Sequence, residues 1–92
     1  MATHLIGYDI HPSKGETYDD LFSGIKAIGA WWHHLDSTWL VISDLTAVQI
    51  RDRLKAHLPA SDDQLLVLTV SGDAGAWWGF NDSGSQWLKA NL

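Results

Sequence analysis

Two segments of the chain are apolar at every position, and they constrain its fold more than any other feature. They are Trp39–Ile42 (WLVI) and Leu65–Leu68 (LLVL). Side chains alternate between the two faces of a β-strand, so a strand with one solvated face alternates apolar and polar residues. An unbroken apolar strand therefore predicts a sheet that is covered on both faces.

Periodicity and turn-forming residues place these two strands in a mixed order of strands and helices. In chain order the predicted elements are a strand at Leu5–Ile10, a helix from Thr17 to Ile28, a hairpin over Ala30–Ser43, a helix from Thr46 to Leu58, a strand at Gln64–Val70, an edge strand at Trp77–Phe80 and a final helical segment at Ser83–Leu92. The hairpin turns at Asp36–Ser37.

The helix ends carry local signals. Thr17 and Asp20 have the spacing of a capping box, and so have Thr46 and Gln49. Gly29 follows the first helix as a predicted left-handed stop. Asn81 or Asp82 is suited to cap the last helix.

This order predicts one α+β domain over residues 1–92, a ferredoxin-like βαββαβ sandwich with a C-terminal edge strand and short helix. Two helices of one chain cover only one face of such a sheet. A second copy of the chain is the first candidate to cover the other face, which predicts a homodimer. The alternative is that the C-terminal segment folds back over that face, in its own protomer or exchanged between the two.

Composition narrows the function. The chain has 11 acidic and 6 basic residues and a formal charge of −5, which disfavours a generic nucleic-acid binder. It has no cysteine, which excludes disulfides and thiolate zinc sites and fits the cytoplasm. No apolar run is long enough to predict a membrane span.

The strand ending in GYDI, the following helix, and the aromatic run GAWWHHLDSTWLV at residues 29–41 resemble a known family. Together they look like the small CRISPR-associated adaptation proteins of the ferredoxin-like ribonuclease group and the similar VapD-type toxins. The 29–41 run is most similar to short bacterial proteins described as SinR-like. The resemblance implies a homodimer built through the open sheet face. In some members it also implies a metal-dependent nuclease acting on RNA or DNA.

Asp9 matches the acid that the resemblance assigns to metal binding and catalysis. If Ile6, Tyr8 and Ile10 pack under the helices, Asp9 points to the opposite face. Two copies of Asp9 across a two-fold axis can then share one Mg²⁺, which activates water for phosphodiester hydrolysis. The alternative is that Asp9 only caps a turn.

His34, with His33 hard to separate from it, is the second catalytic candidate, as a general base. Neighbouring residues of a strand point to opposite faces, so the two cannot readily bind one ion. Both also fit structural roles.

The glycine-rich loop SGDAGAWWG matches no phosphate-binding motif and reads as a connector. The six tryptophans can stack on bases, but core and interface packing is the better interpretation, since few basic residues accompany them.

Three hypotheses therefore follow from the sequence. The first is a homodimeric metal-dependent nuclease that uses Asp9. The second is a non-catalytic dimeric binding or regulatory module, and the third is a binder of a small ligand such as a nucleotide.

Overall fold

The computed structural model describes residues 1–10, 18–70 and 75–92, which form four strands and three helices. In chain order these are β1 (Ala2–Asp9), α1 (Asp19–Lys26), β2 (Ala30–Leu35), β3 (Thr38–Ser43), α2 (Ala47–Lys55), β4 (Gln64–Val70) and α3 (Asp82–Asn91). The predicted α+β class is confirmed. The hairpin at Asp36–Ser37 and the bounds of β4 also agree with the sequence prediction.

All four strands belong to one antiparallel sheet with the order β2-β3-β1-β4. β1 lies in the middle, with Leu5 opposite Leu40 of β3 on one side and opposite Leu68 of β4 on the other. β2 and β4 are therefore the two edge strands. Their edges differ in sequence and in geometry.

The main core lies between the sheet and helices α1 and α2. On the sheet side, the alternate residues Ile6 and Tyr8 of β1 and Trp39 and Val41 of β3 are buried. The helices contribute the buried residues Leu21, Ile25, Ile50 and Leu54. Spacings of four within each helix place these residues on one side, so both helices cover the same sheet face.

The opposite face, here called the second face, is partly covered by the chain's own C-terminal segment. Leu88 of α3 packs with Trp32 and Leu40 in a separate buried cluster, with Trp77 and Phe80 at its margin. The indole N–H of Trp32 donates to the carbonyl of Gly84 at 3.1 Å. The alternative arrangement, in which the C-terminal segment folds back over this face, is thus the one observed above β2 and β3.

Residues 77–80 do not form the predicted edge strand; they run irregularly into α3. Gly79, inside this segment, has φ of +91°, a conformation that glycine adopts readily and that interrupts a strand. The prediction of a fifth strand was therefore wrong.

Two of the predicted helix caps are confirmed. The backbone N–H of Gln49 donates to the Thr46 hydroxyl at 3.1 Å, and the N–H of Thr46 donates to the Gln49 side chain at 2.9 Å. At α3, the Asn81 side chain accepts from the N–H of Gly84 at 2.8 Å. The predicted cap at Thr17 lies outside the described residues.

Gly29 is needed for a different reason from the one predicted. Helix α1 ends at Lys26, and Gly29 is not in the left-handed region. Its Cα faces the carbonyl of Ile42, and a Cβ built at this position would lie 2.0 Å from that oxygen. Only glycine lets the start of β2 approach β3 this closely.

We therefore expect Gly29→Ala to lower the free energy of unfolding by about 2 kcal/mol or more, because the backbone of β2 or β3 must shift. Gly75→Ala is the matched control, since a Cβ there meets nothing within 4 Å. It should change stability by less than about 0.5 kcal/mol. Urea unfolding measures both, and equal effects of the two substitutions would contradict the assigned role of Gly29.

Candidate functional site

Asp9, the main candidate from the sequence, is exposed at the end of β1 and lies opposite Gln64 of β4. It follows Gly7 by two residues, so it lies on the second face, as predicted. With Gly7, Gln64 and Leu66 it lines a shallow depression at the sheet end. The carboxylate is therefore accessible.

His33 and His34 occupy opposite faces of β2, again as predicted. The His33 ring stacks on Trp39 with centroids 3.7 Å apart and planes 9° apart, which gives it a packing role in the main core. His34 is exposed on the second face, with its ring centroid 5.0 Å from Trp32 and 6.0 Å from Phe80. A Cβ at Gly84 would lie 3.2 Å from His34, so this ring packs on the first turn of α3.

The structure does not bring Asp9 and His34 together. Leu35 and Gly7 both lie level with Thr38, so Asp9 and His34 are two strands and about three residues apart. At strand spacings this separates their Cα atoms by roughly 14 Å. Within residues 1–10, 18–70 and 75–92, no three His, Asp or Glu side chains are grouped so that they could hold a metal ion.

Most of the tryptophans have packing roles. Trp39 and Trp32 are buried, one on each side of the sheet, and Trp77 and Trp87 pack against the second-face cluster. Trp31 is half-exposed, but Lys26 lies over its ring at 5.2 Å.

Trp78 differs from the other five tryptophans, because it is 93% exposed and, among the described residues, belongs to neither buried cluster.

Trp39 also forms a hydrogen bond inside the main core. Its indole N–H donates to the Tyr8 hydroxyl at 2.9 Å, and that hydroxyl donates to the carbonyl of Asp36 at 3.3 Å. Burial raises the pKa of Tyr8 above the ordinary tyrosine value, although the bond from Trp39 acts in the opposite direction. The phenol is therefore a neutral structural bridge from β1 to the hairpin turn.

Basic side chains in the described part of the chain form no phosphate-binding patch. Arg51 and Lys55 both contact Asp52 on the exposed side of α2, at 2.8 and 3.8 Å. The hydrogen bond from Arg51 is the main reason that the pKa of Asp52 is lowered. These contacts favour the interpretation of this side of α2 as a solvated helix surface. Lys26 of α1 is engaged separately, over the ring of Trp31.

The second face carries an open apolar surface. The sequence predicted that this face is apolar, but not where the groove lies. A groove of about 270 Å³ has Leu5 and Leu40 among its lining residues, with Leu88, Trp77 and Trp78 also lining it. We call it the aromatic groove. It adjoins the part of the sheet that α3 does not cover.

Side-chain exposure on this face is high in β4 and uneven in β2, where Trp32 is buried and Leu35 is 47% exposed. One cross-strand row consists of Trp32, Leu40, Leu5 and Leu68, and the next consists of Leu35, Thr38, Gly7 and Leu66. In the first row Trp32 is 4% exposed and Leu68 is 48% exposed, and Leu66 in the second row is 54% exposed. We call the part formed by Leu5, Gly7, Leu66 and Leu68 the open strip.

His4 is a buried polar residue that the sequence prediction missed because it started the first strand at Leu5. Alternation with Ile6 and Tyr8 would have placed it in the main core. Its Nδ1 lies 3.0 Å from the Thr69 hydroxyl, whereas its Nε2 is buried and has no hydrogen-bond partner within the described residues. His4 lines none of the pockets given above, so it has a packing role.

No protein-family model matches the chain, and neither curated proteins nor solved structures show significant similarity to it.

None of the three described helices has the length needed to cross a bilayer; the longest, α3, has 10 residues.

We expect His4→Leu to raise the free energy of unfolding by about 1 kcal/mol, because it removes a buried nitrogen that lacks a partner while keeping the side-chain volume. The Thr69 hydroxyl is on an exposed residue and can bond to water instead. His4→Ala, the control that leaves a cavity, should lower stability by about 2 kcal/mol. If urea unfolding shows that His4→Leu is as destabilising as His4→Ala, His4 has a partner that this account omits.

Proposed function

We propose that the chain is a homodimeric, non-catalytic binding module of ferredoxin-like topology, in which two copies join edge to edge through β4. The element order through β4, the strand order β2-β3-β1-β4 and the placement of α1 and α2 on one face support that topology. The unprotected edge of β4 is the observation that carries the proposed dimer.

Among residues 1–10, 18–70 and 75–92, β4 pairs only with β1, so alternate N–H and C=O groups on its outer side have no partner in the described sheet. Its sequence, QLLVLTV, contains no charged residue, proline or glycine. Natural edge strands usually carry lysine, proline or a bulge that prevents pairing with another chain. An edge without these features is suited to add a strand.

The opposite edge of the same sheet provides an internal comparison. β2 has an irregular register between Trp32 and Leu35, and two histidines occupy the positions between them. Such a bulge bends an edge strand and disrupts its hydrogen-bonding row. The chain thus protects one edge of its sheet and leaves the other regular.

β4 is also complementary to itself. In an antiparallel pair centred on Val67, all seven residues of the strand find a partner in the second copy. Leu66 of each copy then lies directly opposite Leu68 of the other, on the second face, where cross-strand apolar pairs are stabilising. The two-fold symmetry of the pair closes the assembly at two copies.

A dimer built face to face through the second face is less favourable. α3 lies on that face and its outer side is polar, with Asp82, Ser83, Gln86 and Lys89 exposed. Sheets pack face to face at about 10 Å, which leaves no room for these helices between them. Burying their polar residues against leucines would also lose hydrogen bonds to water.

The edge-to-edge arrangement also separates the two copies of Asp9. They lie three strand spacings and about six residues apart, which places their Cα atoms roughly 25 Å from each other. Mg²⁺ binds its ligands at about 2.1 Å, so one ion cannot bridge them. This separation supports the non-catalytic module over the metal-dependent nuclease.

Replacing Leu68 by lysine tests the dimer, because a lysine on the edge strand opposes pairing. We expect the wild-type chain to sediment at twice its mass of 10.2 kDa and Leu68→Lys to dissociate at least tenfold more readily. Leu35→Lys is the matched control, since Leu35 is 47% exposed on the same face but near the β2 edge. It should remain dimeric; a wild-type monomer at 100 µM, or equal loss in both variants, would rule out the β4 interface.

Asp9→Asn tests the absence of metal catalysis. With Mg²⁺ or Mn²⁺ and either single-stranded RNA or duplex DNA, we expect no cleavage above the buffer background by the wild-type protein or the variant. Neither metal should raise the melting temperature, since an ion that bound only the native state would do so. Metal-dependent cleavage that disappears in Asp9→Asn would instead establish the nuclease hypothesis.

A further inference from the structure

The proposed dimer leaves the open strip uncovered. Pairing along β4 satisfies the backbone edge, but the second-face side chains of β1 and β4 still project away from the sheet. The strip then contains Leu5, Leu66 and Leu68 from each copy, with Gly7 between them. The leucines lie in two neighbouring cross-strand rows, so the strip is about 14 Å wide between the two β1 strands and about 7 Å long from row to row.

We infer that the strip binds an amphipathic α-helix of a partner protein, with an apolar side facing the sheet and basic residues near both ends. This inference rests on the proposed dimer. A helix with its side chains is about 10–12 Å across, which fits the width of the strip. Helices α1, α2 and α3 already pack on apolar side chains of this sheet, and an amphipathic helix is the usual occupant of an apolar groove.

Gly7 gives the strip its depth. A Cβ at this position would have Leu5 as its nearest neighbour, at 3.7 Å, so a side chain could be accommodated there without strain. Its absence lets the backbone of β1 form the floor between the leucines. A helix can therefore approach the sheet more closely here than at any of the leucines beside it.

The negative charges near the ends of the strip favour basic residues at both ends of the bound helix. Asp9 is exposed on the second face at the end of each β1, so one carboxylate lies two residues beyond each end of the strip. The chain carries a formal charge of −5, which attracts a basic segment and repels nucleic acid. The separation of roughly 25 Å corresponds to about 17 residues of helix at 1.5 Å per residue.

The test uses the full-length dimer and a fluorescein-labelled 18-residue helical peptide, with leucines along one side and two lysines at each end. Binding is measured by fluorescence anisotropy at low salt. One control peptide has the same composition in an order that scatters the leucines, and another has glutamate in place of lysine. We expect each control to bind at least tenfold more weakly.

Two variants locate the peptide. Gly7→Gln fills the floor of the strip without touching the outer edge of β4, so it should reduce affinity at least tenfold while the dimer persists. Asp9→Asn should reduce affinity about three- to tenfold, since an exposed ion pair is weak and both copies lose one. This loss should disappear at high salt.

Sedimentation of the same samples separates the possible failures. If the wild-type protein is monomeric, the proposed dimer is wrong and the inference falls with it. If the protein is dimeric but binds all three peptides equally, or binds them unchanged in Gly7→Gln, the inference alone is overturned. Preferential binding of a single-stranded oligonucleotide at the strip would also overturn it.

Discussion

The alternation of side chains across four antiparallel strands determines where the helices and the C-terminal segment pack. β3 and β4 carry apolar side chains on both faces of the sheet. Leaving either face uncovered therefore costs free energy, because it exposes those side chains to water. α1 and α2 cover most of one face, on which Trp31 at the β2 edge stays 43% exposed. On the other face α3 covers β2 and β3 and reaches β1 at Thr3, whose hydroxyl donates to the carbonyl of Asn91 at 2.9 Å. Among the described residues, β4 is therefore the strand with the least cover.

The two cores depend on each other through β3. Trp39 and Val41 project into the main core, and Leu40 between them projects into the cluster with Trp32 and Leu88. The register of β3 therefore determines both cores at once, since a slip by one residue would exchange their contents. The close approach of Gly29 to Ile42 brings β2 into place beside it.

The sequence predicts the features that depend on neighbouring residues, but not those that depend on contacts between residues far apart in the chain. The bounds of β4, the turn at Asp36–Ser37 and the capping box of Thr46 follow from local patterns, and all are observed. Gly29 was predicted to end the first helix, because it follows the predicted helix in the sequence. Its observed role is the close approach to Ile42 of another strand, which the local sequence does not indicate. The position of α3 is equally non-local: nothing in residues 82–92 indicates which part of the sheet they cover.

The candidate site shows the same division. Strand alternation correctly places Asp9 on the second face and His33 and His34 on opposite faces. The separation of Asp9 from His34 depends on the order of the strands, which a single sequence does not show. The open strip could be predicted only as an excess of apolar residues, because its extent depends on where α3 stops covering the sheet.

Amide hydrogen exchange along β4, followed by NMR at several protein concentrations, detects the pairing of two β4 strands. If β4 pairs with its copy, those amides between Gln64 and Val70 that do not bond to β1 should gain protection as concentration rises. Their protection should change together, at alternate residues, while the amides of β2 stay constant. Rapid exchange of the same β4 amides at every concentration would show that the edge remains in water, which contradicts this account.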